Sequence, residues 1–127
     1  MTKHPDAEQV KARLLAFALS LPGTAEDFPW GESVVKVNGK KKIFLFLGND
    51  DPASEPGISV KLLESREQAL QVPGAEPTGY GLGRAGWVSI KLTADAPPVD
   101  VLEDWVEESY RQVALKRLIT ELDQRHL

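Results

Sequence analysis

The chain has 127 residues, one domain's worth, with 42% hydrophobic residues, which fits a globule better than a disordered chain. Its 15 lysines and arginines face 19 acidic residues, a formal net charge of −4, so no global basic excess advertises nucleic acid and no polybasic membrane anchor is present. There is no cysteine, which excludes disulfides, thiol catalysis and thiolate metal sites, and the two histidines, His4 and His126, lie near the termini.

The start is polar and lacks the apolar stretch of a signal peptide. The longest apolar run, Ile43 to Leu47, is far shorter than a membrane span, so a soluble cytoplasmic protein is expected. Pro5 suits a first helical position, and Ala7, Val10, Leu14, Phe17 and Leu21 form an apolar stripe at helical spacing that Pro22-Gly23 ends. Glu26 to Gly31 is too rich in proline and glycine for a regular element. Ser33–Val37 and Lys42–Leu47 read as strands around Asn38-Gly39, whose pairing favours a two-residue type I′ turn. That register would place lysines beside phenylalanines, which suggests a bulge within Lys40 to Lys42 or a longer loop.

After the acidic connector Gly48 to Gly57, Ile58, Val60 and Leu62 alternate with Ser59, Lys61 and Leu63 as a third strand. Ser65 and Gln68 resemble a capping box for a helix over Arg66 to Gln71. Pro73 to Gly86 reads as loop or irregular edge. Trp87 to Leu92 is a strand with Val88, Ile90 and Leu92 on one side and Trp87, Ser89 and Lys91 on the other. Pro97-Pro98 opens one long helix, Val99 to Asp123, with Leu102, Val106, Ser109 and Val113 on its core stripe and Trp105 and Tyr110 beside it. Past Val113 the apolar residues move to the opposite side. The order predicts a two-layer α+β sandwich, a mostly antiparallel sheet packed against N- and C-terminal helices.

Four patterns invite a ligand. Gly81-Leu82-Gly83-Arg84-Ala85-Gly86 matches a dinucleotide fingerprint in letters, but it opens a strand instead of a helix, and a flexible loop is the better reading. Asn49, Asp50 and Asp51 lack the spacing of a calcium loop. Asp100, Glu103, Asp104, Glu107 and Glu108 could hold a hard cation, but their place near a helix start suits the helix dipole. No serine has an internal histidine or cysteine to activate it. The second sheet face, with Ser59, Lys61, Trp87, Ser89, Lys91 and Lys36, is either an ordinary wet face or a place for charge and stacking on an anionic ligand. Trp30, between Pro29 and Gly31, reads as a core anchor. Leu115, Leu118, Ile119 and Leu122 could make a homodimer contact or cover their own domain after a kink.

Leu21-Pro22-Gly23, Glu26 to Gly31, Lys36-Val37 with Gly39-Lys40, Lys61, Pro73-Gly74, Trp87 to Ile90 and Ser109-Tyr110 together resemble the MmcQ/YjbR family of small bacterial proteins, over about Val10 to Leu118. The resemblance implies a CyaY-like, double-wing fold and DNA as the ligand. Lys36, Lys40, Lys61, Arg84, Trp87 and Lys91 are then the contacting residues, and Tyr80 a further stacking candidate. The frataxin-like fold also invites an iron site, but with no cysteine and only terminal histidines no catalytic residue, cofactor or metal is expected. The expectation is a single DNA-binding domain that is not an enzyme. The alternative is a protein-interaction or regulatory domain using Trp87 and the final helix. The net charge does not argue against a basic face, because Ser33 to Leu47 holds four lysines and no acid while Asp95 to Glu108 holds six acids and no base.

Overall fold

The alternating and β-branched segments form one six-stranded antiparallel sheet in the computed structural model, which describes residues 7–29, 31–48, 56–79 and 81–125. In chain order the strands are β1 (Ala25–Asp27), β2 (Ser33–Val37), β3 (Lys42–Gly48), β4 (Gly57–Lys61), β5 (Glu76–Pro77) and β6 (Trp87–Lys91). They lie in the order β1-β2-β3-β4-β6-β5. The helices are α1 (Ala7–Leu19), α2 (Arg66–Leu70), α3 (Val99–Val113) and α4 (Lys116–Gln124). α3 packs on β3 and β4, and α1 packs on α3, β2 and β3, giving the α+β arrangement expected. Pro5, Trp30, the acidic residues of the connector, Tyr80 and both histidines lie outside the described residues.

The covered face is apolar with a few committed polar groups. Val35, Val37, Phe44, Leu45, Val60, Val88 and Ile90 meet Leu14, Leu102, Val106 and Tyr110 in the core. Strands β3 and β4 pair at Leu45–Val60 and Phe46–Ser59. One step further on, the Ser109 hydroxyl of α3 stands between them. It donates to the Phe44 carbonyl at 2.6 Å and accepts the Lys61 N–H at 2.8 Å. A helix side chain thus completes the ladder where it opens. Its neighbours act the same way. The Glu108 carboxylate takes the N–H groups of Leu63 and Ser65 at 2.9 and 3.1 Å and the Ser65 hydroxyl at 2.7 Å. The Tyr110 hydroxyl donates to the Pro22 carbonyl at 2.7 Å. Burial pushes that hydroxyl's pKa up to about 12.

Four sequence expectations change, and at the hairpin the longer-loop alternative holds. The buried line of α1 is Ala7, Lys11, Leu14 and Ala18, a rotation of the expected stripe, with Val10 and Phe17 only partly covered. Residues 25–27 form an edge strand, because pairing with β2 supplies the backbone partners their composition does not advertise. The hairpin loop has four residues, with Asn38, Gly39 and Lys40 all left-handed (φ 61°, 68° and 66°) and the Lys41 N–H bonded to the Val37 carbonyl. The register shifts lie instead between Ser33 and Val34 and between Val35 and Lys36, and the second lets both Phe44 and Leu45 turn into the core. Ser65 does not cap α2 with its side chain, since Glu108 claims it.

The final helix is two helices. Ala114 and Leu115 are extended (ψ 148° and 146°) between α3 and α4. The hairpin holds the break open: the Asn38 amide nitrogen donates to the Val113 carbonyl at 3.1 Å, and its oxygen accepts the Leu115 N–H at 2.8 Å. The bend turns the second apolar stripe inward. Leu118 and Leu122 are 7% and 3% exposed within their own domain, Ile119 packs against the core, and Leu115 stays outside. Gly23 makes room for this, since a Cβ there would lie 2.9 Å from a Leu118 methyl.

Candidate nucleic-acid interface

Antiparallel register sorts the side chains of the second face. Val34 lies opposite Phe46, Phe46 opposite Ser59, Ser59 opposite Ser89, and Lys61 opposite Trp87. The same register fixes the ends of the sheet. The first residue of β3, the last of β4 and the first of β6 share one end, together with the hairpin loop and a 3-10 turn at Leu82–Ala85.

The six residues expected to contact a ligand separate on this frame. Lys40 is exposed at the hairpin tip, Arg84 is exposed in the 3-10 turn, and Lys61 is half-buried at the end of β4; all three lie at the hairpin end. Lys36 is committed elsewhere. Its ammonium lies 2.9 Å from the Asp27 carboxylate on the neighbouring edge strand. The hydrogen bond from Lys36, followed by that from the Phe28 N–H, holds the Asp27 pKa below the usual carboxylate value. Trp87 is 7% exposed and meets Phe46 edge-on, with ring centroids 5.2 Å apart, so it is a packed side chain and not a stacking platform. Lys91 shares the face but ends β6 opposite Gly57, four residues and roughly 13 Å of strand from Trp87.

Four exposed cations missed in the contacting set belong to the hairpin end. Lys41 and Lys42 extend the tip, and Lys116 and Arg117 open α4 just after the Leu115 N–H that Asn38 binds. The first two were legible in the lysine run of the hairpin. The second two depended on a contact spanning 77 residues. Among the described residues no carboxylate lies within ion-pair distance of Lys40, Lys41, Lys42, Lys61, Arg84, Lys116 or Arg117.

The other patterns have structural explanations. Gly81 and Gly86 flank the 3-10 turn at φ 79° and 99°, and a Cβ on Gly86 would meet the Leu62 carbonyl oxygen at 2.7 Å. The glycine run is a tight splice between β5 and β6, with no helix following it to receive a pyrophosphate. In the acidic segment Glu103 binds Arg13 at 3.2 Å, Glu107 binds Arg111 at 3.1 Å, and Glu108 binds backbone. No three potential ligands among the described residues gather as a metal site, and no helix among them is long and apolar enough to cross a membrane. The surfaces expected for a protein partner, Trp87 and the Leu118–Leu122 stripe, are largely drawn inside.

The family model described as YjbR matches residues 19–112. A crystal structure of Deinococcus radiodurans protein DR2400, which carries a DUF419 domain, is similar to this chain. The TM-score is 0.68 and the identity 26%, covering 88% of this chain and 86% of that one. No curated protein matches. The matched span runs from the turn that receives the Tyr110 hydroxyl to the helix that carries it, and the chain belongs to the YjbR family.

Proposed function

We propose that this YjbR-family protein is a DNA-binding module that engages the phosphate backbone through the hairpin end of its sheet. The observation that supports this is the gathering there of Lys40, Lys41, Lys42, Lys61, Arg84, Lys116 and Arg117, none within ion-pair distance of a carboxylate among the described residues. Three strands, a left-handed loop and a helix junction fix their backbone positions. Such an array neutralises phosphates and releases counterions, which supplies affinity without sequence readout. The burial of Trp87 removes its own stacking contribution, so this reading rests binding on charge.

Fluorescence anisotropy of a labelled duplex at low salt tests the reading. Binding is expected in the micromolar to 100 μM range, with log K falling against log salt at a slope of about −3.5 to −5.5 as roughly four to six phosphates are neutralised. No anisotropy change up to about 100 μM protein, or binding indifferent to salt, would contradict it.

A further inference from the structure

The second face also carries a cavity of about 660 Å3, running from the middle of the sheet to the end away from the hairpin lysines. Its size is that of a small-molecule site. Phe46 and Leu82 give it apolar surface, and a row of three hydroxyls crosses it. The Ser59 hydroxyl lies 2.8 Å from that of Ser89, which lies 2.9 Å from that of Thr78. These residues come from β4, β6 and the turn after β5, so the sheet itself sets their spacing.

Three hydroxyls carry three protons, and the two bonds of the row consume two. One O–H and several lone pairs are left to face the cavity beside an aromatic ring. A ligand that presents an acceptor and a donor side by side on one flat edge satisfies both while stacking its face on the ring. The lining also holds two cations, the buried Lys11 and the exposed Lys91, and two acids, Glu32 and Glu76, so its formal charges cancel and hydrogen bonding and shape are left to select the ligand. We infer that this cavity binds a planar heterocycle with a lactam edge, a carbonyl next to an N–H, as in uracil and thymine bases. The ring lies against Phe46, its carbonyl takes the spare hydroxyl proton, and its N–H donates to a hydroxyl oxygen of the row. The site shares only the Leu82 turn with the cationic end and does not rest on the DNA reading.

Such a base can come from a free nucleoside or from an unpaired position in a strand, and a titration followed by amide NMR shifts separates the two. Uridine is expected to give saturable shifts at Ser59, Thr78 and Ser89 with a millimolar or tighter Kd. 3-Methyluridine, whose N–H is blocked, should bind at least about tenfold more weakly. Ser89→Ala, which removes the middle hydroxyl, should lose a similar factor, and Thr78→Val provides the same test if Ser89→Ala does not fold. Shifts at these residues with a short oligothymidylate but not with uridine would support the pocket and assign its base to a strand. Equal binding of uridine and 3-methyluridine would overturn the inference. So would the absence of saturable shifts from both uridine and oligothymidylate up to about 10 mM. The duplex titration above reads the hairpin end, so either idea can fail alone.

Discussion

The two faces of the sheet use polar residues in opposite ways. On the covered face Ser109, Tyr110 and Glu108 occupy successive positions of α3, and each is spent on backbone: Ser109 on the opening between β3 and β4, Tyr110 on the turn after α1, Glu108 on the turn before α2. At the second face Lys61 and Arg84 have no carboxylate partner among the described residues, and the Ser59–Ser89–Thr78 row keeps an unspent proton. Polar groups that complete a buried backbone cannot be removed without leaving an unpaired atom behind, whereas polar groups at a surface can. The first set therefore governs stability and the second is available for binding. Ser109 and Tyr110, two of the residues on which the family resemblance was read, belong to the first set.

This division can be broken by mutation. The largest effect is expected at Ser109. Ser109→Ala leaves the Phe44 carbonyl and the Lys61 N–H without their partner in the core and should cost about 3 kcal/mol, lowering Tm by roughly 10 °C in a thermal melt. Tyr110→Phe strands the Pro22 carbonyl and should cost about 1–2 kcal/mol. It also carries a pH signature. The folded-state pKa of the Tyr110 hydroxyl is raised to about 12 from 10, so its contribution is complete below pH 10 and declines as pH rises toward 12. Stability measured across that window should fall in the native protein and fall less in Tyr110→Phe.

The second face should respond in the other currency. Lys61→Glu combined with Arg84→Glu should leave stability within about 0.5 kcal/mol and weaken duplex binding at least about tenfold. Asp27→Asn is the smallest change and runs the opposite way. It removes an acid beside Lys36 and Lys40 and releases the Lys36 ammonium, so duplex binding should tighten by roughly threefold. The Asp27 pKa is held down by its partners, so the ion pair stabilises the fold at neutral pH. That support is lost as pH falls through the lowered value, and acid titration of Asp27→Asn should lack it. If the Ser109 change altered binding with no cost in stability, or the Lys61 and Arg84 changes unfolded the protein, the division between the faces would be wrong.

Much of the architecture could be read locally. Helical and alternating spacing located α1, β2, β3, β4 and β6, and the last helix signalled its break when the apolar stripe changed sides after Val113. What escaped depended on distant partners. β1 is three residues long and exists because β2 runs beside it. The break is fixed by Asn38, whose asparagine-glycine pairing suggested a tight turn but whose side chain serves another element. The candidate site was legible in the same measure. Alternation put Lys61, Trp87 and Lys91 on one face correctly, but it carries no information on what covers a face or how far apart its ends are. Trp87 is consequently packed where exposure was expected, Lys91 lies at the far end, and Lys36 meets an acid on a strand the sequence did not reveal.

The central claim, that the hairpin end of the sheet is the surface that meets DNA, is tested most directly by mapping amide NMR shifts as a short duplex is added at low salt. Shifts should concentrate at residues 38–42, 61, 82–87 and 115–117 and fade as salt is raised. Shifts centred on α1 and the start of α3, or none in those four segments at saturating duplex, would contradict it.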